Sequence, residues 1–397
     1  MKIADYRKVF IKSHDNALFL NEYFKETHSK EYRHIPLEPN KFKRNKYLVL
    51  CFCILVVCVY PFILLCEAIS FLLYTSRNVF SYNNIPTKII PYPATEDLAE
   101  KLLKNANIDT KNVSLVVKDI PTHNNSSLNF LPLSSLTSMK FICLSFIDAF
   151  ICYYISLYKY GIKTTILSLD AFEWFITYHA LSNLPIDTEL YFYHHMNQWA
   201  ALIDSLPHKH KNLLQHGTCI LKHNESNIGQ PFLNYSKEGA FWTYNLPQRY
   251  TSIEKVYSFS EREYNSLSLS ILNCCPTVSF VGYTLRTTNM TTTKVVVIIG
   301  YYRAYAQKEE QVLAALQDIK ATIYLKNHPT QDPSVYNALK EKYNFELLTE
   351  PIFPRADVVI SYDSTLALEY EELGTKVFYY ADLDMTAIID YINNLST

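Results

Sequence analysis

The chain has 397 residues, 49% of them apolar and 19% charged, which excludes wholesale disorder and supplies material for about two domains. With 37 basic against 38 acidic side chains, it has no electrostatic footprint of a general nucleic-acid binder. Only 7 glycines are present, and neither a G-x-G-x-x-G loop nor a Walker loop occurs.

Residues 1–46 are polar and mixed in charge, with a short amphipathic helix expected in "NALFLNEYFKETHSKEY". Tyr47–Thr75 follows as a hydrophobic, membrane-associated segment. Its first twenty residues, Tyr47–Cys66, carry no charge, about the length of a bilayer-crossing helix. Lys41, Lys43, Arg44 and Lys46 precede it and favour a cytoplasmic N-side. Pro61 lies in its middle and Glu67 in its second half. One tilted span, a re-entrant hairpin bent at Pro61 and a buried helix pair all fit the pattern. The hairpin is the expectation, because it returns both ends to one side and leaves the rest of the chain cytoplasmic.

An N-terminal α/β domain is expected over residues 85–285. Its elements are a helix opened by Thr95, a strand "VSLVVKDI", a loop "THNNSSLNFLPLSS" and an apolar helix closed by Gly161. Next come a strand "IKTTILSL", a helix Phe172–Ser182, strands "TELYFYHH", "KNLLQHGT" and "EKVYSFS", and a helix capped by Ser260. After the Thr-rich connector "RTTNMTTT", a C-terminal α/β domain is expected over 290–397. It begins with "KVVVIIG", a β-branched run suited to a buried parallel strand, and ends with a last strand, "KVFYYA". The nine cysteines include no C-x-x-C pair, and their apolar neighbours suggest buried, reduced thiols.

Three strand ends in the C-terminal domain carry chemistry. One ends at Gly300, the next at Lys326 with His328 and Pro329 after it, and the third at Ser364 and Thr365. Imidazole, ammonium and hydroxyl donors, with the N-terminus of the helix that Ser364 opens, suit a nucleotide phosphate. Glu369, one turn into that helix, suits a ribose hydroxyl. Singly, Ser364 and Thr365 read as caps and His328 as a turn residue; in this order and context they read as a nucleotide site. In the N-terminal domain, His216 ends a strand and precedes Gly217 in "LLQHGTCI", which suits a general base for an acceptor hydroxyl. His194 and His195 end another strand. No ligand spacing for a metal is present, and no cofactor is expected.

The His-Pro pair followed by a Ser-Thr pair at a later strand–helix junction resembles the GT-B glycosyltransferases that use cytidine nucleotides, among them sialyl-, polysialyl- and Kdo-transferases. "QHGT" and "VYSFSEREY" resemble the CDP-glycerol and CDP-ribitol polymer transferases of teichoic-acid type. The resemblance is firm over about Lys294–Ala381 and looser over about Asp187–Glu263. The acidic motif of the sialyltransferases does not occur in this sequence. The resemblance implies two Rossmann-like domains facing a cleft and a CMP-sugar donor held by His328, Pro329, Ser364 and Thr365. It also implies a glycan or glycolipid acceptor, such as a capsule or lipopolysaccharide, and work at the cytoplasmic face of an inner membrane. A CDP-polyol phosphotransferase, or a non-catalytic component of a polysaccharide assembly, is the alternative.

Overall fold

The computed structural model describes residues 3–27, 46–77, 86–118, 127–161, 168–194, 197–217, 233–236, 239–242, 246–283, 285–291, 293–328, 331–348, 353–362, 364–380 and 383–395. It divides into two compact units. One comprises residues up to His216 together with Thr243–Val281; the other comprises Gly217–Trp242 and Gly282–Thr397.

The first unit starts with helices α1 (Ile3–Thr27), α2 (Lys46–Arg77), strand β1 (Lys88–Ile90) and α3 (Glu96–Asn105). It continues through β2 (Ser114–Val117), β3 (Asn129–Pro132), α4 (Met139–Tyr160), α5 (Ala171–Ser182), β4 (Glu189–Phe192), α6 (Gln198–Ser205) and β5 (Lys211–Leu214). After β6 (Leu233–Ser236) and β7 (Gly239–Trp242), an antiparallel pair of the second unit, it closes with β8 (Lys255–Ser258), α7 (Glu261–Ser270) and β9 (Thr277–Phe280). Its sheet is parallel throughout, in the order β3-β2-β1-β4-β5-β8-β9.

The second unit contains β10 (Val295–Gly300), α8 (Tyr302–Leu316), β11 (Thr322–Asn327), α9 (Asn337–Lys340) and β12 (Glu346–Leu348). β13 (Val358–Ser361), α10 (Thr365–Glu372), β14 (Lys376–Tyr379) and α11 (Met385–Asn394) complete it. Its sheet is also parallel, in the order β12-β11-β10-β13-β14. Apolar clusters cover both of its faces: Val296, Ile298 and Leu325 on one, Val295, Val297 and Val359 on the other. β10 is therefore buried along its whole length, which is why its sequence shows no alternation. Both units are Rossmann-like α/β structures with the strand order 3-2-1-4-5 at their centre.

The N-terminal region departs from expectation. Instead of a short helix within a polar segment, α1 is 25 residues long and packs Tyr6, Phe10 and His14 into the first unit. α2 is one continuous helix through Pro61, so the expected hairpin bend is not formed. Tyr60 and Leu64 of α2 are fully buried, and the Tyr60 ring stacks on Tyr153 of α4 at 3.6 Å. α4 alone among the described helices is long and apolar enough to cross a membrane by length and composition. Its middle nevertheless carries Asp148, fully buried and bonded to Arg7 Nε at 2.6 Å, Tyr6 Oη at 2.7 Å and His179 Nε2 at 3.0 Å. One carboxylate thus ties α1, α4 and α5 together.

Other corrections are local. "NFLP", expected within a loop, pairs as β3 at the sheet edge, and the short strands β1 and β9 and the last helix α11 were not anticipated. Thr95 stands at the N-cap of α3 without a side-chain bond to the helix, whereas Ser260 caps α7 as expected, accepting from Glu263 N at 3.2 Å. The expected strand "IKTTILSL" falls mostly outside the described residues. Of the six described cysteines only Cys152 is buried; Cys58, Cys66, Cys143 and Cys275 are exposed, because the helices and loops bearing them turn those positions outward.

Candidate functional site

In a doubly wound sheet, ligands bind beyond the C-terminal strand ends where the strand order reverses. In the second unit that point lies between β10 and β13. Tyr301 follows β10, His328 follows β11 and Tyr362 follows β13, so register alone sets the three side by side. The Tyr301 and His328 rings stack at 4.6 Å and 26°. Tyr362 lies 6.0 Å from Tyr301 and stacks on Tyr305 at 5.4 Å and 15°. Composition does not single out Tyr301 and Tyr362 in a chain with 32 tyrosines. The signal was positional: each stands one residue beyond an apolar strand. Partial burial lowers the pKa of His328, so the ring is neutral at neutral pH and offers one N–H.

Ser364 stands at the N-cap of α10, where its Oγ accepts from Ala367 N at 3.1 Å and lies 3.2 Å from Ser361 Oγ. It is a cap, as its type predicts. Thr365 begins α10, and Glu369 lies one turn further on the same side, so the helix brings these three together at its first turns. Lys326 diverges from the corner. Its Nζ donates to Leu348 O at 3.3 Å and stands 5.6 Å from the Phe353 ring, and desolvation lowers its pKa. Pro329 lies outside the described residues.

Gly300 has a packing reason. A β-carbon there would meet Tyr336 Oη at 2.4 Å, so no side chain fits without movement. Tyr336 is fully buried and donates to Glu309 Oε2 at 2.8 Å, while Glu309 Oε1 accepts from Tyr301 N at 2.6 Å. A buried carboxyl therefore holds the backbone of the aromatic corner. Burial pushes Glu309 up to about 7, against the hydrogen bonds from Tyr336 and Tyr301. Its consequence for stability has a definite sign. Unfolded, the carboxyl releases its proton near the ordinary carboxylate value; folded, near 7. Between these values the native state holds the extra proton, so stability falls as pH rises and levels off above the window. The expected contribution is roughly 3 kcal/mol. Urea unfolding between pH 4.5 and 7.5 checks it. The difference between wild type and Glu309→Gln should carry this slope, and a constant difference would reject the assignment.

In the first unit the order reverses between β1 and β4. His194, two residues past β4, donates from Nε2 to Pro93 O at 2.6 Å. With Nδ1 facing Asn197 Nδ2 at 3.4 Å, its ring is committed to holding the β1 loop. Desolvation lowers its pKa, and His216 adds to that effect. His195 lies outside the described residues. His216, two residues past β5, sits 5.6 Å from the Tyr193 ring. The residue as a whole is exposed, yet the protein packed around it withdraws its imidazole partly from water. That desolvation lowers its pKa, with the Tyr193 carbonyl acting the other way. A neutral imidazole is the form that a general base needs. The corner is braced by buried Gln215, which accepts from Ser258 Oγ at 2.7 Å and Phe259 N at 3.0 Å and donates to Glu263 at 2.8 Å. Gly217, counted with the second unit, has φ of 77°, and an added β-carbon there would lie 3.8 Å from Thr365 Oγ1. Among the described residues no cluster of His, Cys, Asp and Glu fits a metal ion.

No family model matches the sequence, and no curated protein matches it either. Several solved structures resemble the chain weakly, two of them as follows. The wall teichoic acid polymerase TagF matches with a TM-score of 0.38 and 10% identity, over 86% of this chain and 79% of its own. Sucrose-phosphate synthase from Thermosynechococcus elongatus matches with a TM-score of 0.36 and 11% identity, over 77% of this chain and 88% of its own. At these scores neither likeness bears on what the chain binds or transfers.

Proposed function

We propose that the chain is a GT-B glycosyltransferase that moves a sugar from a nucleotide donor, a CMP-sugar in the first reading, to a glycan or glycolipid. The observation that carries this reading is the corner at the switch point of the second sheet. There Tyr301, His328 and Tyr362 gather at adjacent strand ends, and α10 opens behind Ser364. The rings offer stacking surface to a base, and the helix N-terminus offers N–H groups to a phosphate. Glu369 is assigned to the ribose and Gly300 to close packing beneath the corner. Pro329 keeps its assignment from sequence, and Lys326 is the weakest member because its ammonium is engaged elsewhere.

In this reading His216 takes the proton of the acceptor hydroxyl as that oxygen bonds to the donor carbon. The bond from that carbon to the donor phosphate breaks, and CMP leaves with the electron pair. The resemblance of the His216–Gly217 corner to that of the teichoic-acid polymer transferases is the ground for CDP-polyol phosphotransfer as the second reading. Offering CMP-sugars and CDP-polyols in parallel as donors separates the two. For location, the outward stripes of α2 and α4, with Phe62, Leu65 and Ile69 on one and Ile147 and Phe150 on the other, support attachment to a membrane surface; its cytoplasmic side is proposed from the sequence resemblance alone. A chain that stays behind when anionic vesicles float would reject that attachment.

The test of the nucleotide site is His328→Ala and Ser364→Ala in the full chain. Each is expected to weaken CMP binding by about 1.5–3 kcal/mol, the scale of a hydrogen bond to a charged group, measured by calorimetry. Ser364→Ala should also lose about 1 kcal/mol of stability as a cap. CMP affinity unchanged in both variants would sink the assignment.

A further inference from the structure

The first unit contains a cavity of about 710 Å³ that the nucleotide reading does not use. Its walls are apolar: Val59 and Ile63 from α2, Phe172 and Ile176 from α5, and Leu133. One end is polar. Tyr92, two residues past β1, donates to Glu173 Oε2 at 3.1 Å, and Lys118, directly after β2, pairs with the same carboxylate. Glu67 lines the same cavity. Its Oε2 is buried with no hydrogen-bond partner among the described residues. Burial raises Glu67 to about 7, with Glu173 adding and Lys118 opposing. The mouth opens on the outward stripe of α2, because Phe62, Ile63 and Cys66 line the cavity and are also exposed, Phe62 at 68%.

These features select an occupant. An apolar cavity of this size suits a lipid-like chain. Its polar end holds two carboxyls against one ammonium that is already paired. A phosphate there would find as counter-charge only an ammonium already engaged by Glu173, whereas hydroxyl groups, which both donate and accept, would pair with Glu173 and with Glu67 in either of its protonation states. A mouth flanked by exposed apolar side chains lets a chain enter from a membrane surface without crossing water.

We propose that this cavity binds an amphiphile with an apolar chain and an uncharged, hydroxyl-rich head of the glycosyl class. Its role as the lipid end of an acceptor rests on the glycosyltransferase reading; the binding itself does not.

The probe is octyl glucoside, kept below its micelle threshold and titrated by calorimetry into the full chain. Wild type is expected to bind it, and to bind octyl phosphate at least tenfold more weakly and free glucose not at all. Cys66→Trp and Ile63→Trp, which fill the mouth at exposed positions, should each weaken octyl glucoside at least tenfold. Leu269→Ser, exposed on α7 and not among the residues that line the cavity, should leave binding unchanged. Glu173→Gln should narrow the preference over octyl phosphate. Failure of wild type to bind, affinity untouched by both tryptophans, or equal affinity for octyl phosphate would each overturn the proposal. CMP titrated into the same samples reads the second unit separately. Loss of CMP binding with octyl glucoside retained would therefore count against the nucleotide reading alone.

Discussion

His216→Ala is expected to lower turnover of bound donor by about 100-fold or more, while CMP affinity stays within a factor of about two. His216 lies two residues past β5 of the first unit, whereas the proposed donor corner is built from the ends of β10, β11 and β13 of the second. Its imidazole is held below its ordinary pKa by desolvation, so it is unprotonated at neutral pH and able to accept a proton. Buried Gln215 fixes the backbone immediately before it, so removing the ring should not collapse the corner. The pH profile gives a second reading. Turnover in wild type should fall on the acid side as the ring protonates, and that limb should vanish in the variant. Single-turnover measurement at saturating donor separates the cases. If CMP affinity falls and turnover of bound donor does not, His216 is a donor ligand and the base lies elsewhere.

Asp148→Ala is expected to cost about 3–5 kcal/mol of stability, the scale for breaking a buried ion pair from one side. The variant leaves His179 and the Tyr6 hydroxyl without their shared acceptor and Arg7 without its counter-charge. Burial by itself would raise the Asp148 pKa; hydrogen bonds from His179, Tyr6 and Arg7 outweigh it, and the net shift is downward. A depressed carboxyl stabilises the fold above its unfolded pKa. That stability is lost as pH falls through the folded value, so the wild-type advantage should shrink in acid. Urea unfolding at neutral and acid pH checks both parts, and amide exchange should show α1 opening first in the variant. A loss below about 1 kcal/mol at neutral pH would mean that α1 is held by its apolar contacts alone.

The strand–helix alternation, both parallel units and the caps at Ser260 and Ser364 were legible in the chain, because each depends on residues within one turn or one strand. The β-branched run Val295–Ile299 announces a buried strand by itself, and Gly300 and His328 mark strand ends by following apolar runs. What the sequence by itself determined is therefore the kind of each element and the residues at its end.

Tertiary structure decided which ends become neighbours. β10 lies between β11 and β13, and only that order brings Tyr301, His328 and Tyr362 into one shelf. The carboxyls show the same division. Glu309 and Glu310 are adjacent in a helix and look equivalent in sequence. One is buried against Tyr336, 27 residues away, while the other reaches Lys342 at the surface. Asp148 looks like a flaw in an apolar helix until Tyr6 and Arg7, more than 140 residues earlier, supply its partners. Pro61 shows the limit from the other side. Its missing N–H removes one helical bond, but the burial of Tyr60 and Leu64 on either side of it keeps α2 helical through the position where local chemistry alone asked for a hairpin. Local propensity is worth a few kcal/mol at most at such a position, and packing contributed by residues distant in the chain outweighs it.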